Sequence, residues 1–152
     1  MATKRTDIIT VFDTRMKTIN GTGNFVHNLG SRVERIGEVP NATSQNFVDF
    51  PKMYYLVEDI ETRYTLGGYF LEKMRVDSYT VFDGKVAGSS MDDFVSDVYL
   101  ALGTNANDLK MNNNADFFIL DKVDEAKWLN EENITIVHLI FMCQYRRLAS
   151  ER

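Results

Sequence analysis

The chain is poor in the residues that usually announce chemistry: among 152 residues it has one cysteine, two histidines, one tryptophan and two prolines. With Cys143 alone, no disulfide can form within the chain, and a zinc site built on paired thiolates is excluded. Cys143 ends the apolar run Ile-Phe-Met-Cys, which offers no electropositive neighbour to hold a thiolate. It is therefore expected to be a small buried hydrophobe. Only His27 and His138 could act as an imidazole base, so a nucleophile–base pair has few ways to form. His138 lies in the most apolar stretch and reads as a core or interface residue satisfied by one hydrogen bond. His27, with Asn24 and Asn28 nearby, reads as a loop residue. No run approaches the roughly 20 apolar residues of a membrane-spanning helix, and Met-Ala-Thr-Lys-Arg-Thr at the start lacks an apolar leader core. The expectation is a soluble protein, intracellular at synthesis, without membrane contact. Asn-X-Thr triplets at Asn20, Asn41 and Asn133 are then chance matches.

Positive charge is also in deficit, with 17 Lys and Arg against 22 Asp and Glu for a formal net charge of −5. Affinity for nucleic acid comes largely from clustered basic residues releasing counterions, so no direct nucleic-acid specificity is expected. The doublet Arg146-Arg147 is the local exception and a candidate docking surface. The acidic residues Asp92, Asp93 and Asp97 suit the N-terminal half of a helix, and Asp121, Asp124 and Glu125 a solvated loop; neither set has metal-ligand spacing. Gly67-Gly68 is followed by Tyr-Phe-Leu-Glu instead of Lys-Ser or Lys-Thr, so it is a turn and not a phosphate loop. No catalytic residue, cofactor or metal site is expected, and the chain reads as non-enzymatic.

What is present is enough for one core. Hydrophobic residues make up 44% and aromatics 12% of the chain, and a domain of this size buries roughly 70% of its unfolded surface. Residues 5–19 carry Ile8, Ile9, Phe12, Met16 and Ile19, a helical stripe that stops at Asn20-Gly21. Residues 21–50 hold Gly23, Gly30, Pro40 and a polar run over 41–46, which predicts an irregular excursion with a short strand around 32–36. Pro51 opens a strand over 53–64, Leu66-Gly67-Gly68 turns the chain, and 69–82 returns as the second strand of an antiparallel hairpin. Charged residues gather near that turn, so the end of the hairpin is expected to project beyond the core.

Ser90 and Asp93 have the spacing of a capping box for a helix over 91–102, with the stripe Met91, Phe94, Val95, Val98 and Leu102 and a stop at Gly103. Residues 104–115 read as a polar loop and 117–123 as a strand. Residues 124–133 read as a turn or short helical piece carrying Trp128, and 134–146 as a last strand, apolar on both faces and hence interior. The sum is a single α+β domain over residues 1–152, with a mostly antiparallel sheet, a projecting β-hairpin and two helices packed on one face. Tyr54, Tyr55, Tyr64, Tyr69, Tyr79 and Phe82 crowd the hairpin, which suits either core filling or a protein interface.

In this layout the chain resembles the tail terminator family of long-tailed bacteriophages. The likeness rests on the N-terminal amphipathic helix and on the step Asp49-Phe50-Pro51-Lys52-Met53-Tyr54-Tyr55-Leu56-Val57 into a strand. It continues through the acidic Glu58-Asp59-Ile60-Glu61-Thr62, the long second strand, the acidic-capped helix and two closing strands. It covers most of the chain and implies a hexameric ring, assembled in the host cytoplasm and resident in the virion tail or neck. That ring would sit at the head-proximal end of the tail tube, stop its polymerisation and offer a docking surface to the head connector. The implied partners are copies of the chain itself, the tail tube protein and the head–tail connector or neck proteins; the resemblance implies no cofactor and no catalytic residue. The hairpin residues Arg63, Tyr64, Tyr69, Glu72 and Arg75 are the candidate subunit interface. Three alternatives stay open: a neck completion protein of the same architecture, a soluble acidic binding or inhibitor protein, and an enzyme with an unrecognised site.

Overall fold

Thr3 starts the first helix by accepting the Thr6 amide at 3.0 Å, which satisfies one of the donors that a helix N-terminus leaves over. In the computed structural model, which describes residues 3–39, 49–65, 67–103, 105–129 and 133–148, this helix is α1 (Lys4–Lys17). After it come β1 (Val33–Arg35), β2 (Lys52–Tyr64), β3 (Tyr69–Asp83), α2 (Gly88–Leu102), β4 (Phe117–Leu129) and β5 (Ile134–Leu148). The polar run predicted over 41–46 lies outside the described residues.

The strands form one five-stranded sheet in the order β1-β2-β3-β5-β4. β1 pairs parallel with β2, and every other pairing is antiparallel. The fold is α+β, and β5 is interior as its two-sided apolar pattern predicts. Alternation along the strands separates two faces. One carries Tyr55, Met74, Val76, Leu139, Phe141, Cys143 and Phe118 against Ile8, Ile9, Phe12 and Met16 of α1 and Phe94, Val98 and Leu102 of α2. Phe12 is the hub of that layer, its ring 5.2 Å from Tyr55, 5.3 Å from Phe118 and 5.0 Å from Phe141. Cys143 is buried, and burial pushes its thiol up to about 12. Arg15 ties the helices together by donating to the Leu102 carbonyl at the end of α2, where a cation also complements the helix dipole.

The opposite face carries a smaller apolar cluster of Tyr54, Val81 and Ile134, with Phe50, Leu129 and Ile136 packed on it. Further along this face lie the half-buried Leu56, Leu71, Ile119 and Met142. Among the described residues no helix covers it.

Three expectations need correction. β4 does not stop at 123; it runs to Leu129, so Asp124 and Trp128 are strand residues and no turn or helical piece intervenes. Register shifts between Leu120 and Lys122 and between Val123 and Glu125 break the two-residue period, which is why the sequence hid this strand. The helix predicted from 91 begins at Gly88, with Ala87 as a cap that makes no side-chain hydrogen bond. Ser90 therefore lies inside the first turn and forms no capping box; its hydroxyl turns to His27 instead. The stretch predicted as a polar loop over 104–115 holds a short 3-10 turn (Asp108–Lys110) and the buried Met111.

Candidate functional site

The outer end of the hairpin is wider than a two-stranded projection. β5 stays paired with β3 as far as Tyr69 opposite Leu148, so three strands run outward together. The first turn of α1 reaches along them to Asp59, held by Arg5 at 3.2 Å, and to the Arg146 carbonyl, held by Lys4 at 2.7 Å. Beyond lie Tyr64, 62% exposed, and Phe70, whose rings meet edge to face at 5.4 Å. Arg147 stacks its guanidinium 4.4 Å over the Phe70 ring and donates to Glu72 at 2.8 Å, while Thr62 donates to the other Glu72 oxygen at 2.7 Å. Glu72 is thereby buried with its charge satisfied. Between this end and α1 opens a cleft of about 540 Å³ whose walls include Arg5, Arg35, Asp59, Glu72, Tyr145 and Arg147. Burial, with Glu72 close by, pushes the Tyr145 phenol up to about 12.

The candidate interface residues do not form one patch. The register puts Tyr64, Glu72 and Arg147 on the helix side of the sheet, and Arg63, Tyr69, Arg75 and Arg146 on the open side. Arg63 pairs there with Glu61 at 3.0 Å, and Arg146 with Asp116 at 3.3 Å. Arg75 lies further in, mid-strand, with its guanidinium on Asp77 at 2.8 and 2.9 Å. That hydrogen bond, ahead of burial in the opposite sense, raises the Arg75 pKa further.

Asp77 is the start of a charged row across the open face. It faces His138 Nε2 at 2.7 Å; His138 Nδ1 faces Asp124 at 3.0 Å, and Asp124 pairs with Lys122 at 3.2 Å. Tyr79 stacks on the imidazole, with centroids 4.3 Å apart and planes 13° from parallel. The Lys122 hydrogen bond, with His138 adding to it, holds the Asp124 carboxyl below its ordinary value. His138 thus has two carboxylate partners where one hydrogen bond was expected. Asp77 and Asp124 were missed because only the pairing of β3, β5 and β4 brings them beside it.

His27 also differs from its expected role as a plain loop residue. Its Nδ1 lies 3.2 Å from Asp97 Oδ2 and its Nε2 3.2 Å from Ser90 Oγ. Asp97, buried in α2, additionally accepts the backbone amides of Val26 and His27 at 3.0 and 2.8 Å. The ring edges of Phe82 and Phe94 wall the imidazole at 5.4 and 5.7 Å. A sequence cue existed in Ser90 and Asp97, seven residues apart on one helix face.

Among the described residues no group of three or more His, Cys, Asp or Glu side chains could hold a metal ion, and no helix is long and apolar enough to cross a membrane. No protein-family model matches the chain, and no curated protein matches it.

Proposed function

We propose that the chain is a structural subunit that closes into a ring at the head-proximal end of a phage tail tube, halts tube growth there and presents a docking face to the head connector. The observation that carries this reading is the sheet face left without a helix among the described residues, where half-buried Leu56, Leu71, Ile119, Ile136 and Met142 surround a charged row. A sheet face that no helix covers, with apolar side chains interleaved among charged ones, has the mixed composition of a protein-binding face. A closed ring needs two different complementary patches on each subunit. In this reading the open sheet face, with Arg63 exposed at its outer end, is one patch, and the helix side of that end, with Tyr64 exposed, is the other. The role asks for no catalytic step and no cofactor, and the −5 net charge suits protein partners better than nucleic acid.

The test is the solution mass by light scattering across a concentration series, with negative-stain imaging of the largest species and of mixtures with tail tubes. Rings of about six copies, or rings that form only on tube ends, support the reading. Monomers that ignore tube ends at every concentration reject it. Binding to isolated connectors but never to tubes would replace it with a neck completion role.

A further inference from the structure

The hydrogen bonds around His27 have the connectivity of a Ser–His–Asp relay, and nothing in the ring-forming role makes use of it. Asp97 is 2% exposed and aims its carboxylate at Nδ1, which fixes the ring hydrogen on that nitrogen and leaves the Nε2 lone pair to accept from the Ser90 hydroxyl. The two backbone amides on Asp97 hold the carboxylate in that orientation, and Phe82 and Phe94 fix the plane of the imidazole. Ser90 sits in the first turn of α2, a helix whose N-terminus has no side-chain cap. The Met91 amide already donates to the Ala87 carbonyl, but the amides of Gly88, Ser89 and Ser90 precede that first intrahelical bond and are left for an oxyanion formed beside Ser90. The approach is open: Ala87, Gly88 and Ser89 are exposed, and a Cβ placed on Gly88 would meet nothing within 4 Å.

We propose that Ser90, His27 and Asp97 form a nucleophilic site that reacts with acyl esters. The Ser90 Oγ adds to the ester carbonyl carbon as its proton passes to His27 Nε2. The carbon–oxygen bond to the alcohol then breaks, and the alcohol departs with that proton. Water, deprotonated at the same nitrogen, releases the carboxylic acid and restores the serine. Ser90 is the catalytic nucleophile, His27 the base, and Asp97 a positioning residue acting through His27. A clamp that merely pinned residues 26–27 to α2 would use the Asp97 contacts but would give Ser90 no special reactivity.

The experiment is treatment of the full-length protein with a fluorophosphonate ester, which a nucleophilic serine attacks with loss of fluoride, followed by intact mass and peptide mapping. A single adduct on Ser90 is expected, with labelling reduced about a hundredfold in His27→Gln. No adduct on the folded wild-type chain, or labelling at Ser90 that His27→Gln leaves unchanged, would overturn the proposal. Because His27→Gln could loosen residues 26–27, Ser90→Cys provides an independent reading. Its alkylation by iodoacetamide at pH 6.5 should run about tenfold faster than that of a simple thiol, since a neighbouring imidazole stabilises the thiolate. A rate equal to the simple thiol's would contradict the relay, and the buried Cys143 serves as the unreactive internal control.

Discussion

Asp77 on β3 and His138 on β5 meet at 2.7 Å across the open face of the sheet, and the same Asp77 holds Arg75 from its own strand. A carboxylate buried to 5% exposure with two cationic or hydrogen-donating partners is costly to remove, because both partners are left behind. Asp77→Ala should lower the unfolding free energy by about 2–4 kcal/mol, read from urea denaturation at pH 7. A change below about 0.5 kcal/mol would mean that the row contributes little to the fold.

Arg75 serves Asp77 within its own subunit, so reversing its charge would confuse folding with assembly. Tyr64 is the cleaner probe of the outer end, since it is 62% exposed and its ring touches Phe70 alone among the described rings. Tyr64→Ala should shift monomer stability by no more than about 0.5 kcal/mol while reducing the fraction of chains in rings. An unchanged ring fraction would remove this end from the interface.

Phe12 joins α1 to β2, β4 and β5 through three aromatic neighbours. Phe12→Ala should cost about 3–5 kcal/mol, with the loss visible in near-ultraviolet circular dichroism and in the denaturation midpoint.

Alkaline stability should reflect Cys143 and Tyr145. Burial raises both to about 12 in the folded chain. The unfolded chain therefore loses these protons first as pH rises, and folding is favoured by their neutral forms. Their contribution is complete below the ordinary thiol and phenol values and is lost progressively from about pH 9 toward pH 12. Cys143→Ala should flatten the first part of that decline in urea midpoints measured from pH 8 upward, and an unaltered slope would count against the assignment.

Much of this architecture was legible in local spacing. The stripe Ile8, Ile9, Phe12, Met16 predicted α1, the Gly67-Gly68 turn predicted the β2–β3 hairpin, and the two-sided apolar pattern of β5 predicted its interior place. The outer half of β4 was not legible, because two register shifts scramble its alternation. Nor was the start of α2, since Ala87 has no side-chain oxygen with which to signal a cap. The partners of both histidines were hidden for a different reason. Asp77 lies 61 residues from His138 and Asp97 lies 70 from His27, so no local pattern links them and only strand register and helix packing bring them together.

The central claim, that the subunit works by closing into a ring, is tested most directly by light scattering on the purified protein over a concentration series, repeated with tail tubes added. The account predicts a species of about six chains, in free solution or on tube ends, that Tyr64→Ala diminishes. A monomer at every concentration that also fails to associate with tubes would contradict it.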